Sequence, residues 1–212
     1  SWMWKILACL SVVLCLMLIT SLGRSIASDG GAFYFALPKV IASSHRLIPL
    51  SGYESFMYIG LQGEMHYAAF MSLGSADAAQ LFSWPTILAG TIILLAIGRK
   101  VSLNRRGQWI VFSMMFTSSC IVWLSGDGKV DLFAASLGLS SYFFALHSSE
   151  KEHNSASSLL TGLFAGFAVT AKFSYIPVLL PSIAYLVISQ QFGKPEDRHV
   201  KKSEFKLLFR KA

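Results

Sequence analysis

Charge is what this chain has least of. Only 14% of its 212 residues are charged, against roughly a quarter in an ordinary soluble domain, while 54% are hydrophobic and the mean hydropathy is +0.55. That balance argues against a soluble enzyme domain and for an integral membrane protein. Cysteine is scarce too. Cys9, Cys15 and Cys120 all fall within apolar runs, without the paired spacing of zinc sites or thiol oxidoreductases, and read as packing residues. No internal repeat, low-complexity tract or glycine-rich phosphate loop is present, so nothing in the chain marks a site for a soluble nucleotide.

What the chain does have is apolar runs of about twenty residues, the length a helix needs to cross a hydrocarbon core of ~30 Å. The expected fold is all-α, a polytopic transmembrane helix bundle of about six spans, near 6 to 23, 80 to 98, 108 to 124, 131 to 147, 158 to 171 and 173 to 190. The last two are separate spans only if the chain re-enters at Lys172. The amino-terminal run has the basic start of a signal peptide, but its apolar stretch is longer than a signal core, which favours an uncleaved first helix.

The net charge of +7 is informative through its placement. Arg99, Lys100, Arg105 and Arg106 lie between the second and third spans, and a second basic cluster from Lys194 to Lys211 follows the sixth. Positive residues stay inside, so both clusters and Lys5 are expected on the cytoplasmic side, at a bacterial or archaeal plasma membrane. The basic excess then orients the chain and attracts membrane lipids, and no nucleic-acid partner is expected. Residues 1 to 190 read as the membrane domain and 191 to 212 as a basic cytoplasmic segment, with the chain continuing beyond it.

Between the first two spans lie roughly fifty-five residues, too many for a tight turn and too aromatic for a disordered linker. Two short interfacial helices are expected there, over Ala32 to Val40 and Tyr53 to Leu73, with Tyr34, Tyr53, Tyr58 and Tyr67 at the level where amphipathic rings bridge lipid and water.

Four clusters could carry chemistry. Asp29, in Ser28-Asp29-Gly30-Gly31, reads either as a general base at the water-facing edge of a cavity or as a helix cap. Asp131, in Gly126-Asp127-Gly128-Lys129-Val130-Asp131, either caps the fourth span or faces Asp29 across one membrane edge, where a carboxylate is costly without a function or partner. Lys129 beside it is an interface anchor or a ligand for an anion. Glu64 and His66 suit a divalent metal or an acid–base pair, but two-residue spacing puts them on different faces of a regular helix. In Thr161 to Lys172, Gly162 and Gly166 lie four apart and permit close helix packing, and Lys172 either holds a phosphate or snorkels to the interface.

In its order of elements the chain resembles the GT-C superfamily of polytopic glycosyltransferases. The likeness is to the branch with protein O-mannosyltransferases and the bacterial enzyme that moves aminoarabinose onto lipid A. The shared features are one span, a long outer loop opening with Asp29 and reaching Pro38, Asp131 at the fourth span, then Gly162, Gly166, Thr170 and Lys172. Where many relatives carry Lys-Pro-Pro, this sequence has Gly63-Glu64-Met65-His66-Tyr67. The resemblance implies a sugar donor on polyprenyl phosphate, a lipid, glycan or protein acceptor, and inversion at the anomeric carbon with Asp29 as general base. With it go a catalytic Asp131, Lys129 and Lys172 as the local candidates for the leaving phosphate, and a divalent Mg or Mn ion as a possible cofactor; Tyr34, Glu64 and His66 are further candidate substrate-binding residues. The readings of another class are a transporter or flippase component, with the acids on an ion path, and a non-catalytic membrane subunit.

Overall fold

A computed structural model describes residues 8, 11–16, 18–19, 30–48, 50–54, 61–148 and 155–192. Among these, every regular element is helical. A π-helical turn, Gly30–Tyr34, leads into α1 (Ala36–Ser44). Then come α2 (Gln62–Ser72), α3 (Ala76–Leu81) and α4 (Ser83–Lys100). The pair α5 (Arg105–Thr117) and α6 (Ser119–Gly126) precedes α7 (Asp131–Ser148) and α8 (Ser155–Ala171). A 3-10 turn, Phe173–Tyr175, opens α9 (Ile176–Phe192).

By length and composition, Ala76–Lys100 is long and apolar enough to cross a membrane, and α5 with α6 passes as a second crossing bent by 50°. Residues 108 to 124 were expected as one straight span. Ser118 instead takes an extended conformation (φ −66°, ψ 117°), and Thr117 turns its hydroxyl back onto the Ser113 carbonyl at 2.8 Å, a bond that bends helices. The turn between α4 and α5 is tight because Leu103 folds back, its amide donating to the Gly98 carbonyl at 2.8 Å. Its side chain fills the space left by Gly98 and Gly107. Asn104 then caps α5 by accepting the Gly107 amide at 2.8 Å, meeting one of the orphan donors of a helix start.

The bundle is held by small residues. Gly90 on α4 approaches Ser136 on α7 to 3.5 Å, and Gly138 on α7 admits Leu179 of α9 at 3.5 Å. Ser141 donates to the Thr161 carbonyl of α8 at 2.7 Å, while Ser140 and Thr161 return their hydroxyls to their own helices. Hydroxyls satisfied in this way suit a bundle that meets little water. The contacts also give the directions. Asp131 meets Lys172 and Gly138 meets Leu179, so α7 and α9 start at one end and run together, with α8 opposed. Lys100 meeting His147 puts the ends of α4 and α7 at the other end.

α1, α2 and α3 close the end where α4, α7 and α9 begin. Phe35, Tyr67, Ala79 and Val130 form the core of this roof, with Phe70 and Phe82 packed around them. Tyr67, expected at the lipid–water boundary, is 1% exposed, because its ring is tilted against Phe35 at 5.2 Å and edge-on to Phe82 at 5.9 Å. Tyr58 lies outside the described residues. α1 overlaps the first expected stretch and α2 lies within the second, and residues 55 to 60, between Glu54 and α2, lie outside the described residues.

The roof and the turn before α7 meet at Gly63, where an added Cβ would lie 2.7 Å from Val130 Cβ and closer still to Cγ1. Gly63→Ala should therefore cost about 1–3 kcal/mol of stability through overpacking. Adding Val130→Ala in the same chain should restore part of the unfolding midpoint in detergent; independent, additive losses would show that the two do not touch.

Candidate functional site

The turn Asp127 to Val130 sets the start of α7. Gly128 has φ +65°, a left-handed conformation that suits glycine, and an added Cβ there would run into the Phe35 ring. Val130 is 2% exposed and pins the turn, which leaves Asp131 in the first turn of α7, at the positive end of the helix dipole. From the other side, α8 stops at Ala171 and Lys172 goes extended (φ −154°, ψ 106°). The Lys172 ammonium leaves the helical path and donates to Asp131 Oδ1, each side chain about a quarter exposed. The chain thus breaks at Lys172, where the fifth and sixth spans were expected to part. Tyr175 donates its hydroxyl to the Asp131 carbonyl at 3.3 Å. Asp131 Oδ2 is buried with no hydrogen-bond partner.

Glu64 descends from the roof onto the same place. It is 9% exposed, its Oε2 is buried without a partner, and burial pushes its carboxyl up to about 7, with its own backbone amide and Lys172 pulling the other way. Lys172 thus stands between a carboxylate it contacts and a carboxyl that holds a proton near neutrality. In the roof core, burial raises the Tyr67 phenol, an effect the Ser83 hydroxyl opposes and Glu64, Tyr34 and Asp131 reinforce. Thr170 donates to Gln62 Oε1 at 2.6 Å, tying the roof to the end of α8.

The structure brings together Asp131, Lys172, Glu64 and, through Tyr67, Tyr34. It does not bring in His66, whose Nδ1 lies 2.6 Å from the Gln62 carbonyl and so carries the proton, and whose ring sits between Phe82 and Phe133. In a regular helix the two-residue spacing keeps Glu64 and His66 apart. Lys129 forms an ion pair with Asp127 at 3.3 Å, and Asp127, 3% exposed, also accepts from Trp123 Nε1 at 3.3 Å. Asp127 therefore braces the turn. Asp29 lies outside the described residues. Among the described residues no group of three or more His, Cys, Asp or Glu converges as a metal site.

Gly162 and Gly166 were expected to face a neighbouring helix. Nothing lies within 4 Å of a Cβ added at either. They line an open groove with Leu159 and Phe167, and α8 packs on its neighbours through Ala165 and Ala168 instead. What sequence reasoning missed is the pairing itself. Asp131 and Lys172 were each placed at the same rim, and opposite charges at one rim were the available signal. The burial of Glu64 had none, since it depends on α2 lying as a roof. Chemically, the cluster offers a fixed cation to an anion and one carboxyl that can exchange a proton beside it.

Comparisons with protein-family models, curated proteins and solved structures give no match for this chain.

Proposed function

We propose that the chain is a multi-pass membrane glycosyltransferase of the GT-C kind, moving a sugar from polyprenyl phosphate to an acceptor hydroxyl at the outer face. The observation that carries the reading is the Asp131–Lys172 pair under the Glu64 roof: a cation held in place at the end of the bundle, open to an anion. In this reading α4, α5 with α6, α7, α8 and α9 cross the membrane together with the amino-terminal helix, six spans in all, and the roof lies at the outer surface. Lys172 takes the phosphate that leaves, where a preoriented donor is most effective in a site of low dielectric. Asp131 fixes the ammonium, and Asp29 takes the proton of the attacking hydroxyl, with attack from the face opposite the phosphate and inversion as the result. Lys129 is held by Asp127 and serves the turn, not the phosphate.

The test is transfer by the bilayer-reconstituted protein from a mixed set of polyprenyl-phosphate sugars, with soluble nucleotide sugars alongside. Turnover from the lipid-linked donors alone is expected, and turnover from nucleotide sugars alone would discard the reading. The topology is checked by cysteines at Ser44 and Asn104, expected to label from outside and inside respectively; the reverse would separate the site from the outer leaflet. A second reading, transport, is favoured by one feature, the protonatable Glu64 beside an ion pair. It requires pH-driven flux in vesicles without chemical turnover.

A further inference from the structure

At the end of the bundle away from Asp131, the turn between α4 and α5 carries a pocket of about 380 Å³, within the size range of sites for small ligands. Its polar side is made by Arg99, in the last turn of α4, and Arg105, which opens α5; both residues are exposed. Gln108 also lines it and donates to the Leu103 carbonyl at 3.1 Å; Arg99 and Arg105 are the charged residues of the lining. No acidic residue is among those that line it. Its other wall is apolar: Leu14 from the amino-terminal helix, Leu95, and Phe112, which meets Trp109 edge-on at 5.9 Å.

Two guanidiniums facing an apolar wall, with an indole among the lining residues, have the polarity of one ligand class. The phosphate belongs at the arginines, and an acyl chain belongs along the leucines and Phe112. A free anion would use the first half only. Arginine is also the side chain whose planar fork matches phosphate oxygens in pairs. We infer that this pocket binds the phosphodiester headgroup of an anionic phospholipid of the cytoplasmic leaflet. The site rests on the membrane reading above but not on the transfer reaction. It seals the inner ends of α4, α5 and the amino-terminal helix with a lipid in place of protein.

The test uses the protein reconstituted in phosphatidylcholine vesicles with a minority of phosphatidylglycerol, then released and weighed with its retained lipids by native mass spectrometry. Two arginines near a charged leaflet should favour phosphatidylglycerol about thirtyfold. Arg99→Gln with Arg105→Gln should bring retention to parity, whereas Arg106→Gln, outside the pocket, should keep the preference. Far-UV helicity equal to wild type in all variants assures that the loss is local. Equal retention of both lipids by wild type, or an unchanged preference in the double variant, overturns the site. Displacement of the lipid by inorganic phosphate at equal concentration would assign it to a free anion and overturn the lipid. Failure of the membrane reading is separate and visible: the wild type would not float with the vesicles.

Discussion

Lys172→Met should lower transfer from a polyprenyl-phosphate sugar by about a thousandfold, the upper part of the range for removing one preoriented donor from a developing anion. The ammonium is not replaceable by its neighbours: Lys129 pairs with Asp127 at 3.3 Å, and among the described residues Lys172 is the cation paired with Asp131. Lys172→Arg keeps the charge but presents a planar fork in place of a compact ammonium, and should retain only about a tenth to a hundredth of the wild-type rate. Asp131→Asn should leave donor affinity close to wild type while lowering kcat, since it frees the ammonium without removing it. Asp29→Asn, expected from the resemblance to remove the base, should lower kcat by ~100-fold or more with KM unchanged. Wild-type turnover in Lys172→Met would sink the assignment of the phosphate to this cluster.

The second large effect concerns pH. Glu64 titrates at about 7 in the folded protein against 4.5 when free, so between those values the folded state binds the extra proton. The contribution of this group is full below pH 4.5 and falls as pH rises towards 7. The carboxyl's contribution is gone above that, a change of about 3 kcal/mol for this one group. Glu64→Gln removes the ionising group and keeps its shape, so its unfolding midpoint should vary little over that window and exceed wild type above pH 7. The same proton governs the site. Once Glu64 ionises, it competes with a phosphate for Lys172, so transfer should decline above about pH 7 in the wild type and not in Glu64→Gln. Parallel stability curves for the two proteins from pH 4 to pH 8 would show that Glu64 is not the group that titrates.

The helices of the bundle were legible because their apolar runs are long and bounded by charged or small residues. Ser83–Lys100, Asp131–Ser148, Ser155–Ala171 and Ile176–Phe192 each lie near an expected span, and the break at Lys172 decides a question the sequence left open, between two spans and one long helix. The bend at Ser118 was not legible, although Thr117, Ser118 and Ser119 interrupt the apolar run from 108 to 124 there, because hydroxyl residues also occur inside straight spans and the cause is a local hydroxyl bond. The glycine pair at Gly162 and Gly166 misled for a related reason: spacing shows that two residues share a face, not which way that face turns. The candidate site was legible only as separate charges. Asp131 and Lys172 are 41 residues apart, and Glu64 acquires its character from burial under a roof whose packing depends on Gly63, Gly128 and Phe35 together.

α7 is held at both ends by lysines from other elements, Lys172 at Asp131 and Lys100 at His147, the latter at 2.7 Å. Mechanically it is an axle with a bearing at each end. Rotation about its own length leaves the long lysine arms within reach, but a slide by a single helical rise of ~1.5 Å strains both at once. Ser141, tied to Thr161 at 2.7 Å, is a third stop midway along. The roof is keyed to the same frame, by Thr170 on Gln62 at 2.6 Å and by Val130 against Gly63, so the depth of the Lys172 ammonium beneath it is set by the stops along the axle.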